Sequence, residues 1–163
     1  QQPLVLDDID ELLEPEFKTR CWNMLGDGVT TVESWSLEDK EQLLKQLAKK
    51  KFNQIVIRLH PWQPFVDYQF RSVQKKTAVL WRGEEYSIPR DAPGRTAFGD
   101  ATIFQNADFV KKTTYSEMTE AGVKHMRGVI SAAKRLGMSV GLYVNPLWFP
   151  PEFSKVIPDL LFN

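Results

Sequence analysis

The stretch Phe52-Asn53-Gln54-Ile55-Val56-Ile57-Arg58-Leu59-His60 decides the fold. It is β-branched and apolar on successive residues rather than alternate ones, the pattern of a strand covered on both faces in a parallel sheet. It follows almost directly on Lys49-Lys50-Lys51, whose cations suit the negative end of a helix dipole. The helix they close is legible just upstream. Ser36 and Asp39 form an acidic capping pair, and Leu37, Leu43, Leu44, Leu47 and Ala48 recur at helical spacing. Earlier still, Phe17 to Met24 reads as a short strand, with Gly26-Asp27-Gly28 as the turn after it. Strand, helix, strand is one β/α unit and the start of the next.

Beyond His60 the regular pattern dissolves until about Thr113. Pro61, Pro64, Pro89 and Pro93 punctuate the stretch together with Gly83, Gly94 and Gly99. Thr77 to Trp81 and Glu85 to Ile88 read as a hairpin across Arg82-Gly83-Glu84, and the whole as one large loop excursion, a feature that is usually functional in a compact domain. Regularity returns where Thr114 and Glu117 match a capping box. Met118, Ala121, Met126, Val129, Ile130 and Ala133 then mark one helix face, and Gly137 stands just past the last turn. Met138 to Val144 is the next strand, ended by Asn145-Pro146; Leu147 to Asn163 reads as loop with one helical turn.

Helices between successive strands imply parallel pairing, so the fold class is α/β, built from parallel β/α units. Three strands do not close a barrel, which takes roughly 200 residues or more. The expectation is therefore a single partial domain over 1–163, holding the first three strands of a (β/α)8 TIM-type barrel. Within it, 1–16 is an acidic lead-in, 17–60 the first unit and second strand, 61–113 the loop insertion, and 114–163 the second helix, third strand and following loop.

Composition narrows the function classes. Lysine plus arginine equals aspartate plus glutamate, 21 each, so no net field draws in nucleic acid or anionic lipid. The hydrophobic fraction of 42% suffices for a packed core. A single cysteine, Cys21, and two histidines argue against disulfides and a dedicated transition-metal site, and no cofactor motif is present. No apolar run approaches membrane-spanning length. The start, Gln1-Gln2-Pro3, suits a mature or trimmed terminus.

Ligands of parallel α/β architectures collect at the carboxyl ends of the strands. That rule selects Trp22 with Asn23, His60 with Trp62, and Asn145 with Trp148. Each set joins a polar side chain to a tryptophan. Sugars need that mixture, because hydroxyls require hydrogen-bond partners while C–H faces stack on aromatic rings. Taken singly, each residue also has a packing role as its plain reading: His60 beside Pro61, Trp62 and Trp148 as loop anchors, Asn145 as a strand terminator. Glycoside hydrolysis asks for two carboxylates at defined separation. Glu84, Glu85, Asp67, Asp91, Asp100 and Asp108 offer no spacing that ranks them.

These segments resemble the first part of the catalytic barrel in family-20 β-hexosaminidases and family-67 α-glucuronidases. Phe17-Lys18-Thr19-Arg20-Cys21-Trp22-Asn23 is similar to their arginine-bearing first strand, and Lys51 to His60 to their second strand ending in histidine. Tyr115-Ser116-Glu117-Met118 and Ala132 to Val140 resemble the start and end of the next helix. The resemblance implies that Arg20 hydrogen-bonds sugar hydroxyls and that His60 shapes the cleft. It also implies that the catalytic acid follows a fourth strand outside this chain, and it favours a secreted or periplasmic setting. Pro61 and Trp62 stand where the hexosaminidases carry leucine and aspartate, a departure that counts against that activity.

The expectation for function is thus a carbohydrate-binding fragment of a glycoside hydrolase barrel, with Arg20, Trp22, His60, Trp62, Asn145 and Trp148 as substrate-binding residues. It needs no cofactor, and its open edge is expected to meet the rest of the barrel or to self-associate. The rivals are a non-catalytic glycan- or protein-binding α/β domain and a barrel lyase or aldolase.

Overall fold

The structure is a computed structural model that describes residues 14–24, 35–80, 85–89, 95, 99–145 and 147–157. It is a mixed α/β arrangement. Strands β1 (Cys21–Asn23), β2 (Gln54–Leu59) and a later strand, Ser139–Val144, form a parallel sheet with β2 in the centre. Helix α1 (Leu37–Lys49) joins the first two strands, and α2 (Tyr115–Arg135) precedes the third.

Both helices start where the sequence says they should. Ser36 caps α1 in a reciprocal box with Asp39, and Thr114 caps α2 in the same way with Glu117. Each box satisfies amide groups that the first turn leaves without intrahelical partners. Gly137 follows α2 with φ +74°, a left-handed conformation that a Cβ would disfavour.

The helices share one face of the sheet. Leu44 and Leu47 of α1 and Met118, Met126, Val129 and Ala133 of α2 form one core with Ile55, Ile57 and Leu59 of β2. Burying side chains of this size contributes about 1.5–3 kcal/mol each. Leu37, at the start of α1, lies so close to Gly128 of α2 that a Cβ there would collide with it. Gln54, Val56 and Arg58, on the other face of β2, are only half-buried. The expectation of a strand covered on both faces is therefore corrected. Among the described residues, one layer of helices packs on the sheet, and the alternate residues of β2 facing away from it have less cover.

Between β2 and α2 the chain forms two small antiparallel ribbons. One pairs β3 (Gln69–Phe70) with β4 (Val73–Gln74); the other pairs β5 (Glu85–Ser87) with β6 (Ile103–Gln105). The third sheet strand is thus β7. The expected hairpin is corrected in turn: β5 pairs with β6, and Thr77 to Leu80 is not a strand. Its proposed turn, from Arg82 to Glu84, lies outside the described residues. The excursion also feeds the core, because Phe65, Leu80 and Phe109 are buried with the helix and strand residues. Pro64 sits directly over Gly122 of α2, leaving no room for a methyl group.

Gly122→Ala is expected to destabilise the protein by about 1–3 kcal/mol through overpacking against Pro64, outweighing a helix-propensity gain of about 1 kcal/mol. Urea denaturation of the two proteins measures this; a stabilised variant would contradict the close approach.

Candidate functional site

In the sheet register Cys21 is level with Gln54, and Gln54 with Ser139, so all three strands point their carboxyl ends the same way. The chain leaves β2 through His60 and returns past β7 through Asn145. The Asn145 side chain accepts the Leu147 amide at 2.9 Å, and its carbonyl accepts the Trp148 amide at 3.2 Å. This tight turn swings Trp148 back over the end of β2.

Three rings meet there. The His60 ring stacks on Trp62 at 5.0 Å between centroids and on Trp148 at 4.9 Å, while Trp62 and Trp148 are 5.5 Å apart. The Arg58 guanidinium lies 5.3 Å from the Tyr143 ring centroid and 6.0 Å from that of Trp148, within cation–π range. Arg58 and Tyr143 are register partners, so they share the sheet face away from the helices. His60 is buried, whereas Trp62 and Trp148 are half-buried. Beside the rings, Leu59, Pro61, Val66, Asp67, Tyr68 and Val144 line a cleft of about 340 Å³. Flat aromatic surface edged by a cation and hydroxyl-bearing rings suits a ligand with apolar faces and a polar rim.

His60, Trp62, Asn145 and Trp148 thus come together. Arg20 and Trp22 do not join them. Arg20 precedes β1 at the amino end of the sheet, roughly 20 Å along the strands from His60. Its guanidinium donates to the carbonyls of Lys51 at 2.5 Å and Phe17 at 2.6 Å, tying together the segments that lead into β1 and β2. Trp22 is level with Ile55 and therefore on the helix-bearing face, at the sheet edge, with its ring edge-on to Phe52 at 5.7 Å. The strand-end rule selected Trp22, which the register puts at the sheet edge on the helix-bearing face, whereas Arg20, selected by the resemblance, stands before β1.

Arg58 and Tyr143 were not singled out in the sequence. The available signal was a charge interrupting an apolar strand one residue before its end and two before His60, which pleating sends to the same face as His60. The residues that fix the loop gave no such signal. Gln63 is buried; its side chain accepts the His60 amide at 2.8 Å, and its own amide donates to the His60 carbonyl at 3.0 Å. Lys75 is fully buried, and its ammonium donates to the carbonyls of Gln63 and Val66, the latter at 2.7 Å. Burial pushes its pKa down to about 8, against the pull of Asp67 and Glu152.

Asp67 and Asp108 of the excursion are engaged in structural bonds. Asp67 accepts the Tyr115 hydroxyl at 2.6 Å and the Gln74 amide at 2.7 Å. Glu85 belongs to β5, and Asp100 occupies a turn with φ +61°. Glu84 and Asp91 lie outside the described residues. Asp108 accepts the Leu37 amide at 2.7 Å and meets Nδ1 of His125 at 2.6 Å, while Nε2 of His125 faces the Lys40 ammonium at 2.8 Å. A lysine donor on Nε2 requires the proton on Nδ1, so His125 is a neutral bridge from Lys40 to Asp108. Burial, then the Lys40 charge, lowers its pKa to about 4 despite Asp108. With the His125 ring wholly covered, this linkage binds α1, α2 and the 106–110 segment together.

Among the described residues, no group of three or more histidine, cysteine, aspartate or glutamate side chains could hold a metal ion, and no helix is long and apolar enough to cross a membrane. Comparisons with family models, curated proteins and solved structures gave no match.

The His125 shift carries a pH dependence. The unfolded chain binds a proton near pH 6.5, whereas the folded chain resists it until about pH 4. Stability should therefore fall by up to about 3 kcal/mol as pH drops through that window. Denaturant titrations at pH 7 and pH 4.5 measure the loss, and His125→Gln should flatten it.

Proposed function

We propose that this chain is a three-strand sector of a (β/α)8 barrel of the glycoside-hydrolase type, and that His60, Trp62 and Trp148 form its sugar-binding platform. The observation that carries the reading is the convergence of those three rings, from two different strands, at the carboxyl ends of a parallel sheet. Ligands of this architecture gather there. Arg58 and Tyr143 extend the platform with donors able to meet sugar hydroxyls.

The winding is compatible with a barrel. Strands adjacent in the β/α order are adjacent in space, and both helices lie on one face, as in successive units of a barrel and equally in one half of a doubly wound sheet. Leu142 and Val144 are level with Ile57 and Leu59, hence on the helix-bearing side, yet each stays about half exposed (55% and 48%). A further helix packed on β7 would cover them, and Trp22 at the opposite edge calls for the same cover. These edges suit the remaining units of a barrel or a second copy of the chain.

Hydrolysis by general acid/base chemistry would draw its principal acid from outside this chain, in keeping with the structural engagement of Asp67 and Asp108. That engagement also favours the second reading, a domain that binds glycan without cleaving it.

Tryptophan-fluorescence titration with N-acetylchitohexaose and with glucuronic-acid-substituted xylohexaose tests the platform. Saturable quenching is expected with at least one of them. Trp148→Ala should weaken it by about tenfold, equivalent to about 1.4 kcal/mol. Binding indifferent to both Trp62→Ala and Trp148→Ala would remove the platform from the reading.

A further inference from the structure

The platform has two arms that reach it from different parts of the chain. His60 and Trp62 follow β2, whereas Trp148 follows β7. Packing of Trp62 against Trp148, tilted by 38° with centroids 5.5 Å apart, depends on how the two arms are held. The short strip Lys75–Val79 touches both. On the first arm, the Lys75 ammonium binds the carbonyls of Gln63 and Val66, and the Val79 amide donates to the Trp62 carbonyl at 3.2 Å. On the second arm, Glu152 lies four residues past Trp148, in the 3-10 turn Pro151–Lys155. Its carboxylate accepts the amides of Lys76 and Thr77, the latter at 2.8 Å, and the Thr77 hydroxyl at 2.8 Å.

We propose that Lys75 and Glu152 are positioning residues that, through the 75–79 strip, set the separation of Trp62 and Trp148 and so the shape of the sugar platform. The inference rests on the platform reading for its link to binding, but not for its geometry. Neither side chain stacks with the trio; each acts through the backbone that carries it. The bracket is braced on the same side by Arg71, which donates to the Val156 carbonyl at 3.0 Å, and by Tyr68 and Phe70, whose rings pack on Phe153 at 5.4 and 6.0 Å. An ammonium buried against two carbonyls is directional in a way that an apolar contact is not. Its loss frees the turn beneath Trp62 without removing any ring. Glu152 keeps its charge for the same structural reason: burial opposes ionisation, but the donors from Lys76 and Thr77 outweigh it.

The test compares Lys75→Met, Glu152→Gln, Thr77→Val and Thr77→Ser in the full chain by far-UV and near-UV circular dichroism and by titration with the two oligosaccharides above. A double-mutant cycle with Trp62→Phe and Trp148→Phe isolates the coupled signal of the two packed indoles. With helix content retained, Lys75→Met and Glu152→Gln should lose that signal and bind about tenfold more weakly, and Thr77→Ser should keep what Thr77→Val loses. If Lys75→Met does not fold, Glu152→Gln and the Thr77 pair decide, since both positions are only half-buried. Folded variants with the wild-type indole signal would overturn the inference. If the unmodified chain binds neither oligosaccharide, the sugar reading fails, while the indole signal still decides the positioning role.

Discussion

Everything in this protein hangs on the central strand β2. It is hydrogen-bonded to β1 along one edge and to β7 along its full length on the other, and its alternate residues Ile55, Ile57 and Leu59 anchor the core beneath both helices. Parallel pairing of this kind cannot close through a tight turn, so each connection must travel back over the sheet, here through a helix. Both crossovers step across the sheet in the same direction with the same hand, so the two helices land on the same face and pack against each other. Among the described residues that arrangement leaves the opposite face without a helix, and parallel pairing directs the carboxyl ends of all three strands to one rim, where the aromatic rings gather.

The long connection between β2 and α2 is part of the packed structure and not a decoration on it. Pro64, Phe65 and Phe109 press onto α2, while Lys75, Gln63 and Glu152 bind the loop segments to one another. A buried ammonium is tolerated only where hydrogen bonds replace its lost hydration. Here backbone carbonyls supply them, and polar groups thereby give a loop the rigidity that secondary structure gives elsewhere. Lys40, His125 and Asp108 do the same on the far side of the helices, welding both to the 106–110 segment.

The helix caps, the central strand and the terminal glycine of α2 were legible in the sequence because each is decided within a few residues. The Ser36 and Thr114 boxes and the apolar faces of both helices lie at the positions the spacing gave. The hairpin across residues 82–84 was misread because short strand-like runs do not name their partner; β5 found β6 instead. The strand-end rule picked out His60, Trp62, Asn145 and Trp148, which the fold brings together at one rim, whereas Arg20 was drawn in by a resemblance and sits at the opposite end of the sheet. Lys75 and Glu152 carried no sequence signal at all. A lysine in a polar loop reads as solvated until the fold surrounds it.

The sequence by itself determined the local elements, their order and the parallel pairing that this order requires, because propensity, capping and periodicity act over one or two turns of chain. Only the tertiary structure decided which face the helices cover, which loop groups are buried and which rings meet. Those outcomes depend on contacts between residues far apart in the chain, where the free energy of an arrangement is shared among many partners and no single stretch of sequence records it.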